Sequence, residues 1–251
     1  MTAASEAGPT TKHGILPWRF HPHMQSEETH YQREKIYWDQ RGSEDYATLS
    51  ASDRERIASW IGWTGRGRIL DVGGGAGMVS RLIKDQPETR VTCVDISAEM
   101  LRHAPVSAVQ ADGMQLPFPS DTFDMVVAAA FLHHLPGLES DVLAECHRVT
   151  VPGGRVIGYD PNGWSLQNRV FMGDGPLRLK RFTPDERPIV PKNIETKAMQ
   201  LSFKSFEYEL FTFRNQTKTP FEVVQSYIVD PVSRGPLKKY LDRWFLWRAI
   251  K

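Results

Sequence analysis

The residues Ile69-Leu70-Asp71-Val72 run directly into Gly73-Gly74-Gly75-Ala76-Gly77, four glycines within five positions. Helix-forming residues follow at once, among them Met78, Arg81, Leu82 and Ile83. That order describes a buried strand, a turn from which side chains are excluded, and then a helix. Glycine is needed where the backbone must come very close to a ligand or to another backbone. A tight turn with no ligand is the plainer alternative. Asp71, the acid ahead of the glycines, argues for a ligand.

The chain on either side of this turn alternates. Arg68–Val72 reads as a first strand and Gly77–Asp85 as a helix. Arg90–Asp95 is a second strand, and Ser97–His103 a short helix. Val106–Ala111 and Phe123–Ala130 are strands three and four, Leu138–Val149 is an amphipathic helix, and Arg155–Tyr159 is strand five after a turn at Pro152-Gly153-Gly154. Short apolar strands alternating with helices specify an α/β fold, a parallel sheet wound by right-handed crossovers with helices on both faces. Ligands bind such sheets beyond the carboxyl ends of the strands.

Before this core, Tyr31–Arg41 reads as a helix whose aromatics either fold over a ligand or pack on the sheet edge. Ser52 or Asp53 is the expected cap of a second helix reaching Ile61. After Asp160 the rhythm breaks: residues 161–190 suggest no strand. Ile194–Leu201 then reads as helix, Phe203–Phe213 as strand, Phe221–Val229 as helix and Trp244–Ile250 as an antiparallel last strand. The division expected is an N-terminal arm and lid helix over 1–50 and a core over 51–160. An insert with a substrate lid at 161–200 follows, and 161–251 also holds the last two strands of the same sheet.

Composition removes several classes of function. With 31 basic and 30 acidic residues, no global field favours nucleic acid or an anionic membrane. Cys93 and Cys146 are the two cysteines; they sit in apolar segments without metal-ligand spacing, which fits a reducing cytoplasm. The N-terminus has no signal-peptide pattern, and no uncharged apolar stretch reaches membrane-spanning length. His13, His21, His23 and His30 show no metal-site spacing, so no metal is expected.

Three acids end three successive strands. Asp71 precedes the glycines, where a carboxylate can accept from an ammonium group while the backbone passes beneath the ligand. A dinucleotide fingerprint would need glycine at Met78 or Ser80, and neither is one. Asp95 ends strand two, 18 residues past Gly77, where an acid accepts both hydroxyls of a ribose. Asp112-Gly113 ends strand three, where a carboxylate can accept from a purine amine and Met100 and Met114 can sandwich the ring. Ammonium, diol and purine amine together describe S-adenosylmethionine.

The stretch Leu70 to Ile157 resembles class I S-adenosylmethionine-dependent methyltransferases, in particular the branch acting on quinones, sugars and natural products. Leu70-Asp71-Val72-Gly73-Gly74-Gly75-Ala76-Gly77, Val94-Asp95-Ile96-Ser97, Ala111-Asp112-Gly113, Leu132-His133-His134-Leu135 and Pro152-Gly153-Gly154 carry the resemblance. It implies a Rossmann-like seven-stranded sheet with its last strand antiparallel. It also implies cofactor contacts at Asp71, Gly73, Gly75, Gly77, Asp95, Ile96, Asp112, Gly113 and Ala129. The Asn-Pro-Pro-Tyr type motif of amino-group methylation is missing after strand four, where Ala129-Ala130-Phe131-Leu132 stand.

Methyl transfer needs position and, for a hydroxyl acceptor, a base. His133 or His134, just past strand four, is the expected base, with Asp160 as the carboxylate that orients it. The reading is O-methylation of a small natural product, sugar or phenol, with no nucleic acid as partner. C- or N-methylation, or a cofactor-bound scaffold that has lost transfer, are the alternatives. A homodimer stays open.

Overall fold

The computed structural model describes residues 30–41, 49–63, 65–180, 182–213 and 237–251. The sequence expectations for the first 29 residues and for a helix at 221–229 fall outside the described residues. The described elements run α1 (His30–Arg41), α2 (Ala51–Ile61), β1 (Gly67–Val72), α3 (Ser80–Ile83), β2 (Thr89–Asp95), α4 (Ala98–Leu101) and β3 (Ser107–Gln110). Next come β4 (Phe123–Ala129), a 3₁₀ turn (Leu132–His134), α5 (Glu139–Val149), β5 (Thr150–Pro161), α6 (Leu166–Phe171), α7 (Pro191–Gln200), β6 (Ser205–Phe211), α8 (Lys238–Leu241) and β7 (Trp244–Ile250).

The seven described strands form one sheet in the order β3-β2-β1-β4-β5-β7-β6. β7 lies antiparallel to both β5 and β6, and the other neighbouring pairs are parallel. The order reverses between β1 and β4, and this places a crevice beyond their carboxyl ends. Central strands buried on both faces need apolar residues at every position. Met125, Val126, Val127 and Ala128 of β4 accordingly have relative exposures of 2% or less. Leu70, Val126, Leu143, Val156 and Trp247 pack on one face with α5 and α7; Ile57, Ile69, Ile83, Met125 and Ile157 pack on the other with α2 and α3. No helix among the described residues is long and apolar enough to cross a membrane.

Three local expectations change. The helix after the glycines is a single turn, Ser80–Ile83, because Gly73, Gly75 and Gly77 all take positive φ and the loop must finish before α-geometry can start. α2 is capped by Ser50, not Ser52 or Asp53: the Ser50 hydroxyl accepts from Asp53 N–H (3.1 Å) and donates to the Asp53 carboxylate (2.6 Å). Pro152-Gly153-Gly154 lies inside β5, which begins at Thr150, as an irregularity in its pairing with β4. Residues 161–190 hold α6, and the 182–190 segment returns to the sheet through a bridge between Asn162 and Ile189.

Candidate active site

A cavity of about 300 Å³ opens at the carboxyl ends of β1, β2, β3 and β4. Gly73, Asp95, Ile96, Met100, Asp112, Gly113 and Met114 line it from the sheet side. Phe131, His134, Leu135 and Leu138 line it from the segment after β4, and Glu34 and Trp38 line it from α1.

The loop after β1 is fastened to β2. Gly75 N–H donates to Asp95 Oδ2 at 2.8 Å, and Ser97 N–H donates to Asp95 Oδ1 at 2.8 Å. Each carboxylate oxygen keeps a second lone pair for a ligand hydroxyl. Burial pushes Asp95 up to about 6, against the two backbone donors. Asp112 accepts from Met114 N–H at 2.8 Å through Oδ1, and burial raises it as well. A Cβ on Gly73 would come within 2.2 Å of the Phe131 ring, and one on Gly113 within 2.7 Å. Glycine at both places therefore lets Phe131 lie across the floor of the cleft.

Asp71 is turned toward the start of α3. It is 1% exposed, does not line the cavity, and its Oδ2 accepts from Ser80 N–H (3.1 Å) and Ser80 Oγ–H (2.6 Å). The carboxylate turns back to the start of α3 and ties the end of the glycine loop to β1. Burial pushes it up to about 6, opposed by the Ser80 donors. Gly75, Gly77 and Ala129 are not among the residues that line the cavity. Gly77 sits against Pro105, where a Cβ would approach to 2.5 Å, and Ala129 is succeeded in the wall by Ala130, which takes a φ of 52°.

The two histidines separate. His133 is 6% exposed and its Nδ1 lies 3.0 Å from Asp160 Oδ1. Asp160 also accepts from His133 N–H (3.2 Å) and from Trp247 Nε1–H (3.0 Å). Burial pushes the His133 imidazole down and the Asp160 carboxyl up, and the pair braces β5, β7 and the segment after β4 together. Neither residue lines the cavity. His134 does, with Trp38 edge-on at 5.3 Å. The His–Asp pairing expected from the sequence is present, but on the histidine that faces away from the cavity.

Glu34, Trp38, Phe131 and Leu138 complete the cavity wall, and Glu186 stands behind His134. Spacing along the chain gives no signal for Glu186. Glu34 shows one: it precedes Trp38 by one helical turn, and Trp38 Nε1–H donates to it at 3.0 Å.

A glycine-lined crevice at the β1/β4 reversal, with acids at the ends of β2 and β3, defines a class I S-adenosylmethionine-dependent methyltransferase, and the donor set fits that cofactor. Residues 70–158 match the methyltransferase domain family. The chain is 31% identical over 172 residues to a demethylmenaquinone methyltransferase of Thermus thermophilus, covering 58% of this chain and 78% of that enzyme. The chain belongs to this methyltransferase family. It is also 31% identical over 132 residues to the 27-O-demethylrifamycin SV methyltransferase of Amycolatopsis mediterranei, covering 48% of this chain and 47% of that one. Its fold is that of a SAM-dependent methyltransferase from Archaeoglobus fulgidus, with a TM-score of 0.61 at 20% identity over 86% of this chain and 98% of the other.

Proposed function

We infer that this methyltransferase acts on a small molecule with an ionisable hydroxyl, most simply by O-methylation of a phenolic compound, sugar or natural product. One observation carries the reading: His134 stands in the wall of a largely apolar cavity whose other wall holds Asp95 and Asp112. When bound, the cofactor supplies an electrophilic methyl group on a sulfonium. Asp95 accepts from its ribose hydroxyls, Asp112 accepts from its adenine amine, Met100 and Met114 flank the ring, and Gly73 gives the backbone room to approach. His134 takes the proton of the acceptor hydroxyl, since a phenolate or alkoxide is a far better nucleophile than its conjugate acid. Trp38 and α1, with the 182–190 segment of the 161–200 lid, serve to exclude water. The rifamycin enzyme's name specifies O-methylation, which supports this choice.

C-methylation of a phenolic ring is the second reading, favoured by the demethylmenaquinone enzyme's name. It uses the same base, because a phenolate directs its charge onto ring carbon as well as oxygen. Two measurements test the assignment. Calorimetry should show S-adenosylmethionine binding that Asp95→Ala abolishes; equal affinity in both proteins removes Asp95 from the site. Labelled-methyl transfer to a panel of phenols, quinols and sugars, with product analysis by mass spectrometry, then separates O- from C-methylation. Full turnover by His134→Gln would remove the base.

A further inference from the structure

His134 is flanked by two carboxylates that lie outside the family-matched residues 70–158. Its Nδ1 is 3.3 Å from Glu34 Oε2 and 3.4 Å from Glu186 Oε1. Nδ1 is buried and has no formed hydrogen bond, so these are close approaches of carboxylate oxygen to the ring nitrogen. Glu34 is 5% exposed and Glu186 6%. Buried carboxylates are costly unless something favours their charge. Burial alone would raise Glu34, but His134, Thr183 and Trp38 hold it below the usual carboxylate range. Burial pushes Glu186 up, with Glu34 adding to the rise.

The two segments that carry these acids are clasped together. Arg33 of α1 donates to Asp185 Oδ2 through Nε (3.1 Å) and Nη2 (3.0 Å), and Arg187 N–H donates to the His133 carbonyl at 2.9 Å. The other titrating groups around His134 are His133, 4.1 Å away ring to ring and uncharged by burial, and the more distant Asp95 and Asp160.

We propose that Glu34 and Glu186 are positioning residues for His134: together they hold its Nδ1–H and leave Nε2 to receive the acceptor's proton. The proposal rests on the reading of His134 as the base. The acceptor O–H bond breaks, its electron pair stays on oxygen, and an N–H bond forms at Nε2. The positive charge arriving on the ring then faces Glu34. A carboxylate behind an imidazole does the same work in a hydrolytic triad. Here the carboxylates come from α1 and the 182–190 segment, so the base is complete only while those two segments meet over the cavity.

The test is a Glu34→Gln/Glu186→Gln double variant, which keeps volume and drops both charges. Ring 15N shifts of His134 in the cofactor-free protein report its tautomer without any acceptor. The native protein is expected to hold the Nδ1–H form, and the double variant to mix it with the Nε2–H form, because an amide can donate as well as accept. With an identified acceptor, kcat should fall about 100-fold with KM within about twofold, the pattern of an interaction made in the transition state. The single variants Glu34→Gln and Glu186→Gln keep the case testable if the double variant unfolds; each should lower kcat about tenfold. An unchanged tautomer and unchanged kcat in the variants, with His134→Gln inactive, overturns the positioning role and leaves the base reading standing. Full activity of His134→Gln overturns both. His133, His134 and Glu186 also offer atoms within 4.8 Å of one another. Stoichiometric zinc uptake that Glu186→Gln abolishes would overturn the proposal in favour of a metal site.

Discussion

Asp95 ties the chemistry of the cavity wall to pH. Burial lifts it from 3.8 to about 6, so between those values the cofactor-free fold keeps a proton that the unfolded chain has released. Its own contribution to stability is therefore largest below about pH 4 and is lost as pH rises through about 6. A ribose diol donates to the carboxylate and favours the ionised form, so the ligand acts in the opposite direction. Affinity for S-adenosylmethionine should weaken as pH falls below about 6, with proton release on binding near that pH. Calorimetry in buffers of different ionisation enthalpy measures the release. Asp95→Asn should bind more weakly and show no such proton linkage; a pH slope that survives the substitution assigns it to another group.

At the scale of elements, α2 shows how one side chain decides a boundary. Ser50 both caps Asp53 N–H and is met by the Asp53 carboxylate, and this turns Ile57 and Ile61 into the core beneath the sheet. Ser50→Ala should lower stability by about 1 kcal/mol in urea denaturation, while Ser52→Ala should change it by less than about 0.5 kcal/mol. Within β5, Gly158 faces Trp247 and the Ala128 carbonyl, where a Cβ would stand 2.1 Å from backbone oxygen. Backbone cannot yield as a flexible side chain does, so Gly158→Ala should cost about 1–3 kcal/mol by the same measurement.

For the molecule as a whole, the sheet carries the core and α1 stands over the cavity at its edge. The sheet and its two apolar faces hold the chain together, while α1 meets α4 and the cavity. Asp39 of α1 accepts from Ser97 Oγ–H at 2.6 Å, beside the serine's backbone bond to Asp95. Saturation at 100 times Kd should add about 2.7 kcal/mol of stability. Trp38→Ala should leave ligand-free melting nearly unchanged and weaken cofactor binding about tenfold, near 1.4 kcal/mol. A large loss of ligand-free stability would instead make α1 part of the core.

Strand and helix order, the glycine loop, the antiparallel Trp244–Ile250 and the acids Asp95 and Asp112 were legible in the sequence. Each is written in local spacing, as an apolar run, a turn residue or an acid at a strand end, and local spacing is what a backbone of fixed period converts into position. The partner of Asp71 was not legible, nor was which of the two histidines would take Asp160. Ser80 claims Asp71 because the short glycine turn brings the start of α3 back over β1, a matter of three-dimensional closure. His133 and His134 are adjacent in the chain and equal in chemistry, but the 3₁₀ turn sends one toward Asp160 and Trp247 and the other into the cavity. Arg33 and Asp185, 152 residues apart, bring Glu34 and Glu186 to His134 by docking two segments that share no periodicity. The sequence determined the glycine turn and the acids at the strand ends; only the packing of distant segments decided which side chains close the cavity around His134.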